Sequence, residues 1–181
     1  MKKVFFRTLL ATALVSGLSI GIFTTLVMIF YKNPLNSMPI GFDFLFFLAF
    51  PIWAILYYKL KVNNRVLDFK EGLVLGAIVS FVMFAFFATS ILLANALNPT
   101  IFEAYKEDWL KDLAQNKKLW LERVKTEEDY QNLIAFHKNS SVFSYLFRQL
   151  GIKTIILLFV SVVGATAFRA KPQPNLQKAK K

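Results

Sequence analysis

The sequence has no cysteine and a single histidine, His137, among its 181 residues. Without cysteine the chain can form no disulfide framework, no thiolate nucleophile and no thiolate site for zinc or an iron–sulfur cluster. One histidine cannot supply the three or four ligands of a zinc site, and no P-loop or dinucleotide fingerprint is present. The residues therefore predict no catalytic site, no metal site and no cofactor.

Charge is nearly absent from four apolar stretches, in which Asp43 and Lys153 are the only ionisable Asp, Glu, Lys or Arg residues. The stretches are residues 8–30, 40–58, 72–97 and 151–168. About 20 apolar residues cross a bilayer core as a helix, which satisfies every backbone polar group without water. The sequence thus predicts an all-α membrane protein: one four-span domain over residues 1–170 and a disordered basic tail over 171–181.

The first stretch has some features of a secretory signal peptide, because lysines and Arg7 precede it. However, its 23 residues exceed the about 7–15 of a signal peptide's apolar region. The only Ala-x-Ala sequence in this stretch, which begins at Ala11, also comes too early for a cleavage site. We therefore expect an uncleaved membrane anchor.

Lysine and arginine flank the four stretches unevenly. The N-terminal tail, the segment between the second and third stretches and the C-terminal tail carry 12 of them, all on one side of a four-span protein. The positive-inside rule therefore predicts that both termini are cytoplasmic. Because orientation and anionic lipid headgroups explain the net charge of +11, no nucleic-acid partner is predicted.

Two of the apolar stretches carry a small residue at every fourth position. These residues are Ala13, Gly17, Gly21 and Thr25 in the first stretch, and Gly72, Gly76 and Ser80 in the third. Such stripes let neighbouring helices approach closely. They predict helix contacts, either inside one bundle or between subunits of a homo-oligomer.

Asp43 and Lys153 are candidates for a polar role inside the membrane, where ionisable residues are usually functional. Asp43 lies near the outer end of the second stretch, so we expect its carboxylate to stay hydrated. Lys153 is two residues inside the fourth stretch and can extend its ammonium outward along its flexible stem. Because the two residues lie at a similar depth, a pair between them is also conceivable.

Residues 98–150 are predicted to form an amphipathic helical hairpin outside the cytoplasm. Aromatic residues follow helical spacing on one face of its first helix: Phe102, Tyr105, Trp109 and Trp120. Thr126, with Asp129 three residues later, predicts the start of a second helix that ends before Asn139. Two interpretations stay open: the aromatic face binds a periplasmic or membrane protein, or it packs on the other helix or on lipid headgroups.

The order of these features resembles an uncharacterised bacterial family, DUF4199, found mainly in Bacteroidota. The most specific part is Asp68-Phe69-Lys70-Glu71-Gly72-Leu73-Val74-Leu75-Gly76, at the start of the third stretch. A Lys-Lys start, a basic turn, a Lys/Glu-rich helical segment and a basic tail complete the pattern. The resemblance implies a bacterial inner membrane with the long segment in the periplasm, and no activity, cofactor or catalytic residue.

Together these features predict a non-catalytic inner-membrane protein that acts as an interaction or envelope-associated accessory protein. Its expected partners are the lipid bilayer and a periplasmic or membrane protein. The alternative is a subunit of a small oligomeric transporter or channel. Against a complete transporter, the intramembrane charges lie only at the outer ends of the stretches, whereas transporters place polar groups at the midplane.

Overall fold

The computed structural model describes residues 3–170, which are helical apart from short connections. In chain order the helices are α1 (Lys3–Phe30), a 3₁₀ turn (Pro34–Asn36), α2 (Met38–Gly41), α3 (Asp43–Tyr57) with a π-helical end (Tyr58–Val62), α4 (Phe69–Leu97), α5 (Thr100–Gln115), α6 (Lys117–Val124), α7 (Glu127–Lys138) and α8 (Val142–Ala167). The predicted all-α fold is confirmed for this range. The predicted disordered tail, residues 171–181, lies outside the described residues.

Four helical stretches are long and apolar enough to cross a membrane. They are Lys3–Phe30, Met38–Val62, Phe69–Leu97 and Val142–Ala167. Each contains or overlaps one predicted stretch, but the fourth begins nine residues earlier than residue 151. It starts there because the Ser141 hydroxyl accepts a hydrogen bond from the Ser144 backbone N–H at 3.2 Å, which caps the helix. The apolar residues 151–168 are thus the second part of one longer helix.

Helix α4 contacts α1, α3 and α8 and so forms the centre of the bundle. Towards α8 it presents Gly76, where an added Cβ would lie 2.7 Å from the Ser161 hydroxyl. Towards α1 it presents Phe86, whose ring would lie 2.6 Å from a Cβ added to Gly17. Both contacts need a residue without a side chain, as small residues permit at close helix crossings.

The structure places all but one of the predicted small residues at these contacts. Gly72, Gly76 and Ser80 are buried, as are Ala13, Gly17 and Gly21. Thr25, however, is exposed, and Thr24 is buried in its place. A step of four residues advances about 40° around a helix of 3.6 residues per turn, so a long four-residue stripe rotates away from its contact face.

The segment between α4 and α8 contains three helices, so the predicted hairpin of two is wrong. Helix α5 ends before Asn116, whose backbone angles (φ −110°, ψ 29°) leave the helical range. The break turns Trp120 back to Trp109, with ring centroids 5.9 Å apart. A straight helix would separate these two residues by about 16 Å along its axis. The predicted cap of the last helix of the segment is confirmed, because the Thr126 hydroxyl accepts from the Asp129 N–H at 3.0 Å.

Side-chain hydrogen bonds close the connection between α3 and α4 at the opposite end of the bundle. The Glu71 carboxylate accepts from the Tyr58 hydroxyl at 3.1 Å and from the Asn63 amide at 3.4 Å. Leu67 and Ala170 form an isolated antiparallel bridge beside this connection. The end of α8 is therefore tied to the start of α4, and the charged residues described next lie at the other end of the bundle.

Candidate functional site

The two charged residues of the apolar stretches meet inside the bundle. Asp43 begins α3, Lys153 lies in α8, and Asp43 Oδ2 is 2.8 Å from Lys153 Nζ. Their side chains are only 8% and 6% exposed. The pair that the sequence made conceivable is therefore formed, and the expected outward-pointing ammonium is wrong. Each charge instead compensates the other, because an unpaired charge is far more costly to bury than a pair.

The Lys153 ammonium also contacts groups on two further sides. Gln149, one turn earlier in α8, accepts a hydrogen bond from Nζ at 2.9 Å. The ring centroids of Phe87 in α4 and Phe47 in α3 lie 4.4 Å and 5.3 Å from Nζ, within the range in which aromatic rings attract cations. A single ammonium group thus connects α3, α4 and α8.

Arg148 lies on α8 between its start and Lys153, and its guanidinium is surrounded by aromatic rings. Nη2 donates a hydrogen bond to the Tyr105 hydroxyl. The guanidinium carbon is 5.9 Å, 5.7 Å and 5.8 Å from the ring centroids of Tyr105, Trp109 and Tyr145. None of the four ion pairs within residues 3–170 includes Arg148. Its charge is therefore held by aromatic rings and has no carboxylate partner in that part of the chain.

A cleft of about 410 Å³ opens beside these groups. It lies between the α1–α3 connection, α5 and α8, and its charged lining residues are Asp43, Arg148 and Lys153. Tyr105 and Trp109 line the side formed by α5. The apolar lining residues are Leu35, Ile40, Phe44, Ile152 and Ile156. Asn36, Ser37 and Gln149 add polar groups, so the lining is mixed. A volume of several hundred Å³ is within the range of small-molecule sites.

Hydrogen bonds hold α5 in position over this end of the bundle. The Asn33 amide, in the connection after α1, donates to Asp108 Oδ2 in the middle of α5 at 2.8 Å. At the turn from α4 into α5, Asn98 Oδ1 accepts from the Thr100 N–H at 3.2 Å. Because Trp109 follows Asp108 directly, these contacts also fix the position of its ring at the cleft.

The four aromatic residues predicted to form a partner or membrane-surface face do not share one exposed face. Phe102 and Tyr105 are only 5% and 4% exposed, and Trp109 and Trp120 are half-buried. Trp109 stacks on His137 of α7 with ring centroids 4.6 Å apart and planes 9° apart. The aromatic face therefore packs mainly within the chain, and Trp109 is the member that also reaches the cleft together with Tyr105.

His137 is buried behind Trp109, with 4% of its surface exposed. Burial lowers the pKa of its imidazole below the ordinary value, and the positive charge of Arg148 lowers that pKa further. The ring is therefore neutral at neutral pH. Arg148 supplies the positive charge at this point, and the stacked imidazole does not add a second one.

Arg148, Gln149 and Tyr145 were not singled out by the sequence patterns. They precede Lys153 by five, four and eight residues. This spacing places Gln149 and Tyr145 on the same side of a helix as Lys153, and Arg148 about 140° around it. That spacing was an available signal, but it has meaning only if the fourth membrane helix begins well before residue 151. All three residues lie on the same helix as Lys153 because α8 begins at Val142.

The model of a protein family described as "Protein of unknown function (DUF4199)" matches residues 11–170. The chain belongs to this family. No curated protein and no solved structure matches the chain. The DUF4199 match includes every residue that lines the cleft, so the cleft is part of the family domain and not of an added segment.

Removing one member of the Asp43–Lys153 pair should destabilise this DUF4199 protein more than removing both. Asp43→Leu or Lys153→Met leaves a buried charge unpaired, which costs about 3–5 kcal/mol, whereas the double variant should lose clearly less. Denaturant unfolding of the purified proteins in bicelles, followed by circular dichroism, measures the free energy of unfolding of the two single variants and the double variant. Glu107→Leu breaks the exposed pair with Lys111, at 3.7 Å, and should cost under about 1 kcal/mol. If the stability lost in the double variant equalled the sum of the losses in the two single variants, the two residues would not stabilise each other and the account of the pair would be contradicted.

Proposed function

We propose that this chain is a non-catalytic binding protein of the cell envelope and that the cleft is its binding site. One observation carries this proposal: charged and aromatic side chains from α3, α5 and α8 converge on the same cleft. These residues are distant in sequence and lie at one end of the bundle. The α5–α7 segment covers that end, and α5 supplies one wall of the site. We therefore assign this segment a role in binding.

The chemistry of the cleft supports binding more than catalysis. Asp43 is paired with Lys153, and Arg148 is held by Tyr105 and neighbouring rings. The carboxylate and the amine that line the cleft are bound to each other at 2.8 Å, whereas nucleophilic catalysis would need the base and the nucleophile to be available to a substrate. The charged groups are therefore arranged to orient a ligand and not to transfer a proton or a chemical group.

Filling the cleft tests the binding proposal. Gly41 lines the cleft, and a Cβ added there would meet no atom within 4 Å. The position therefore has room for a larger side chain, and we expect Gly41→Phe to obstruct the cleft. Gly151 is equally open but does not line the cleft, so Gly151→Phe is the matched control.

We expect the wild-type protein and Gly151→Phe, purified in mild detergent, to retain a bound lipid or protein that Gly41→Phe loses several-fold. Mass spectrometry of the purified complexes identifies and quantifies what each variant retains. The same bound molecules, in the same amounts, in all three proteins would contradict a binding function for the cleft.

For localisation we propose the bacterial inner membrane, with both termini in the cytoplasm and α5–α7 in the periplasm. The support is the excess of lysine and arginine in the two tails and in the connection between α3 and α4. A reporter enzyme that works only in the cytoplasm should be active when it is fused after Lys181. Gln115 is an exposed residue at the end of α5. A reporter enzyme that works only in the periplasm should be active when it is inserted there. A periplasmic C-terminus would overturn this orientation.

The buried Asp43–Lys153 pair favours a second candidate, a subunit of a small oligomeric transporter or channel, because intramembrane charges often mark ion pathways. In this case vesicles reconstituted with the wild-type protein should conduct ions, and Asp43→Asn should abolish the flux. Flux that is unchanged by Asp43→Asn, or no flux with the wild-type protein, would eliminate this candidate.

A further inference from the structure

The charges that line the cleft leave one positive charge without compensation. Asp43 and Lys153 neutralise each other at 2.8 Å, which leaves Arg148 as the remaining charged lining residue. Two acids lie nearby on α5 but do not line the cleft. Asp108 accepts from Asn33 at 2.8 Å, and Asp112 accepts from the Trp120 indole at 2.9 Å. These neutral donors leave both negative charges in place, but the two acids line an adjoining space beyond Asn36 and Trp109. The positive charge of the cleft is therefore concentrated at Arg148 on the α8 side, and that end is where an anionic group would bind.

Arg148 retains the donors that such an anion needs. A guanidinium has five N–H donors, and the hydrogen bond to the Tyr105 hydroxyl uses one nitrogen, Nη2. The planar donor fork of arginine suits the oxygens of a phosphate group, which it binds more strongly than a neutral donor would. The aromatic rings around the guanidinium hold it in place before any ligand arrives.

Below Arg148 the cleft becomes apolar and opens on the side of the bundle. Phe44 of α3 and Ile152 of α8 both line the cleft, and both are exposed, by 41% and 51%. These residues belong to two of the four stretches that are apolar enough to cross a membrane. Ile156 lies eight residues after Arg148, which is about 12 Å further along the helix. The cleft thus has a positive end and an apolar end that opens where acyl chains would lie.

We propose that the cleft binds one anionic phospholipid, with its headgroup phosphate at Arg148 and the upper part of an acyl chain between Phe44 and Ile152. This inference rests on the proposed binding function and names the class of ligand. The lipid enters sideways from the bilayer through the gap between α3 and α8. The Asp43–Lys153 pair forms the floor beneath the headgroup and excludes a second anion, because its charges already compensate each other.

Native mass spectrometry of the full-length, delipidated protein tests this ligand with palmitoyl-oleoyl phosphatidylglycerol as the probe. We expect one bound lipid per chain and about tenfold weaker binding to Arg148→Gln, which removes the charge-assisted hydrogen bonds. Arg123→Gln is the matched control, because Arg123 lies in α6 and stacks on Trp120 outside the cleft. Gly41→Phe should also lose the lipid with Arg148 intact, so the test does not depend on the folding of Arg148→Gln.

Three results would overturn the proposal. Binding that is equal in Arg148→Gln, Gly41→Phe and the wild-type protein would show that the lipid does not occupy the cleft. Equal binding of palmitoyl-oleoyl phosphatidylcholine would show that the net negative charge is not recognised. Displacement of the lipid by an equal concentration of glycerol 3-phosphate would show a site for free anions. If Gly41→Phe loses a different copurified molecule, the binding function stands and the lipid assignment falls.

Discussion

The buried contact between Asp43 and Lys153 is the constraint on which the rest of this structure depends. Each residue is the single Asp, Glu, Lys or Arg of its predicted apolar stretch, and neither could be buried at an acceptable free energy without the other. The pair therefore fixes where α3 meets α8, and the rings of Phe87 and Phe47 extend this contact to α4. Because the ammonium points into the bundle, the space above it is lined by side chains of three helices. The cleft is the direct consequence.

Other contacts in the chain position the helices that surround the Asp43–Lys153 pair and the cleft. Small residues on α4 let α8 approach it closely, and small residues on α1 leave room for Phe86 of α4. Above the pair, the Asn33–Asp108 hydrogen bond holds α5 across the bundle end, and Tyr105 in turn holds Arg148. The aromatic residues of α5 therefore act inside the chain. They orient a positive charge and bury a neutral histidine.

The features that the sequence predicted correctly are those that short-range physics determines. The four membrane helices follow from hydropathy and length, and the cap at Thr126 follows from a local hydrogen bond. Three features needed contacts that the spacing of residues does not show. The helical pattern breaks at Asn116, and the bend lets the Trp120 indole donate a hydrogen bond to Asp112. Lys153 turns inward because Asp43 is there, more than a hundred residues away in sequence. Arg148 reaches the cleft only because α8 begins at Val142.

The most direct measurement is the distance across the mouth of the cleft with and without the ion pair. The chain has no cysteine, so cysteines introduced at Phe44 and Ile152, which are both exposed, can be spin-labelled selectively in the full-length protein. Double electron–electron resonance in nanodiscs should then give one narrow distance distribution for the otherwise wild-type chain and a broader, longer one after Lys153→Met. A distribution that Lys153→Met leaves unchanged would contradict the conclusion that the Asp43–Lys153 pair holds α3 against α8 and forms the cleft.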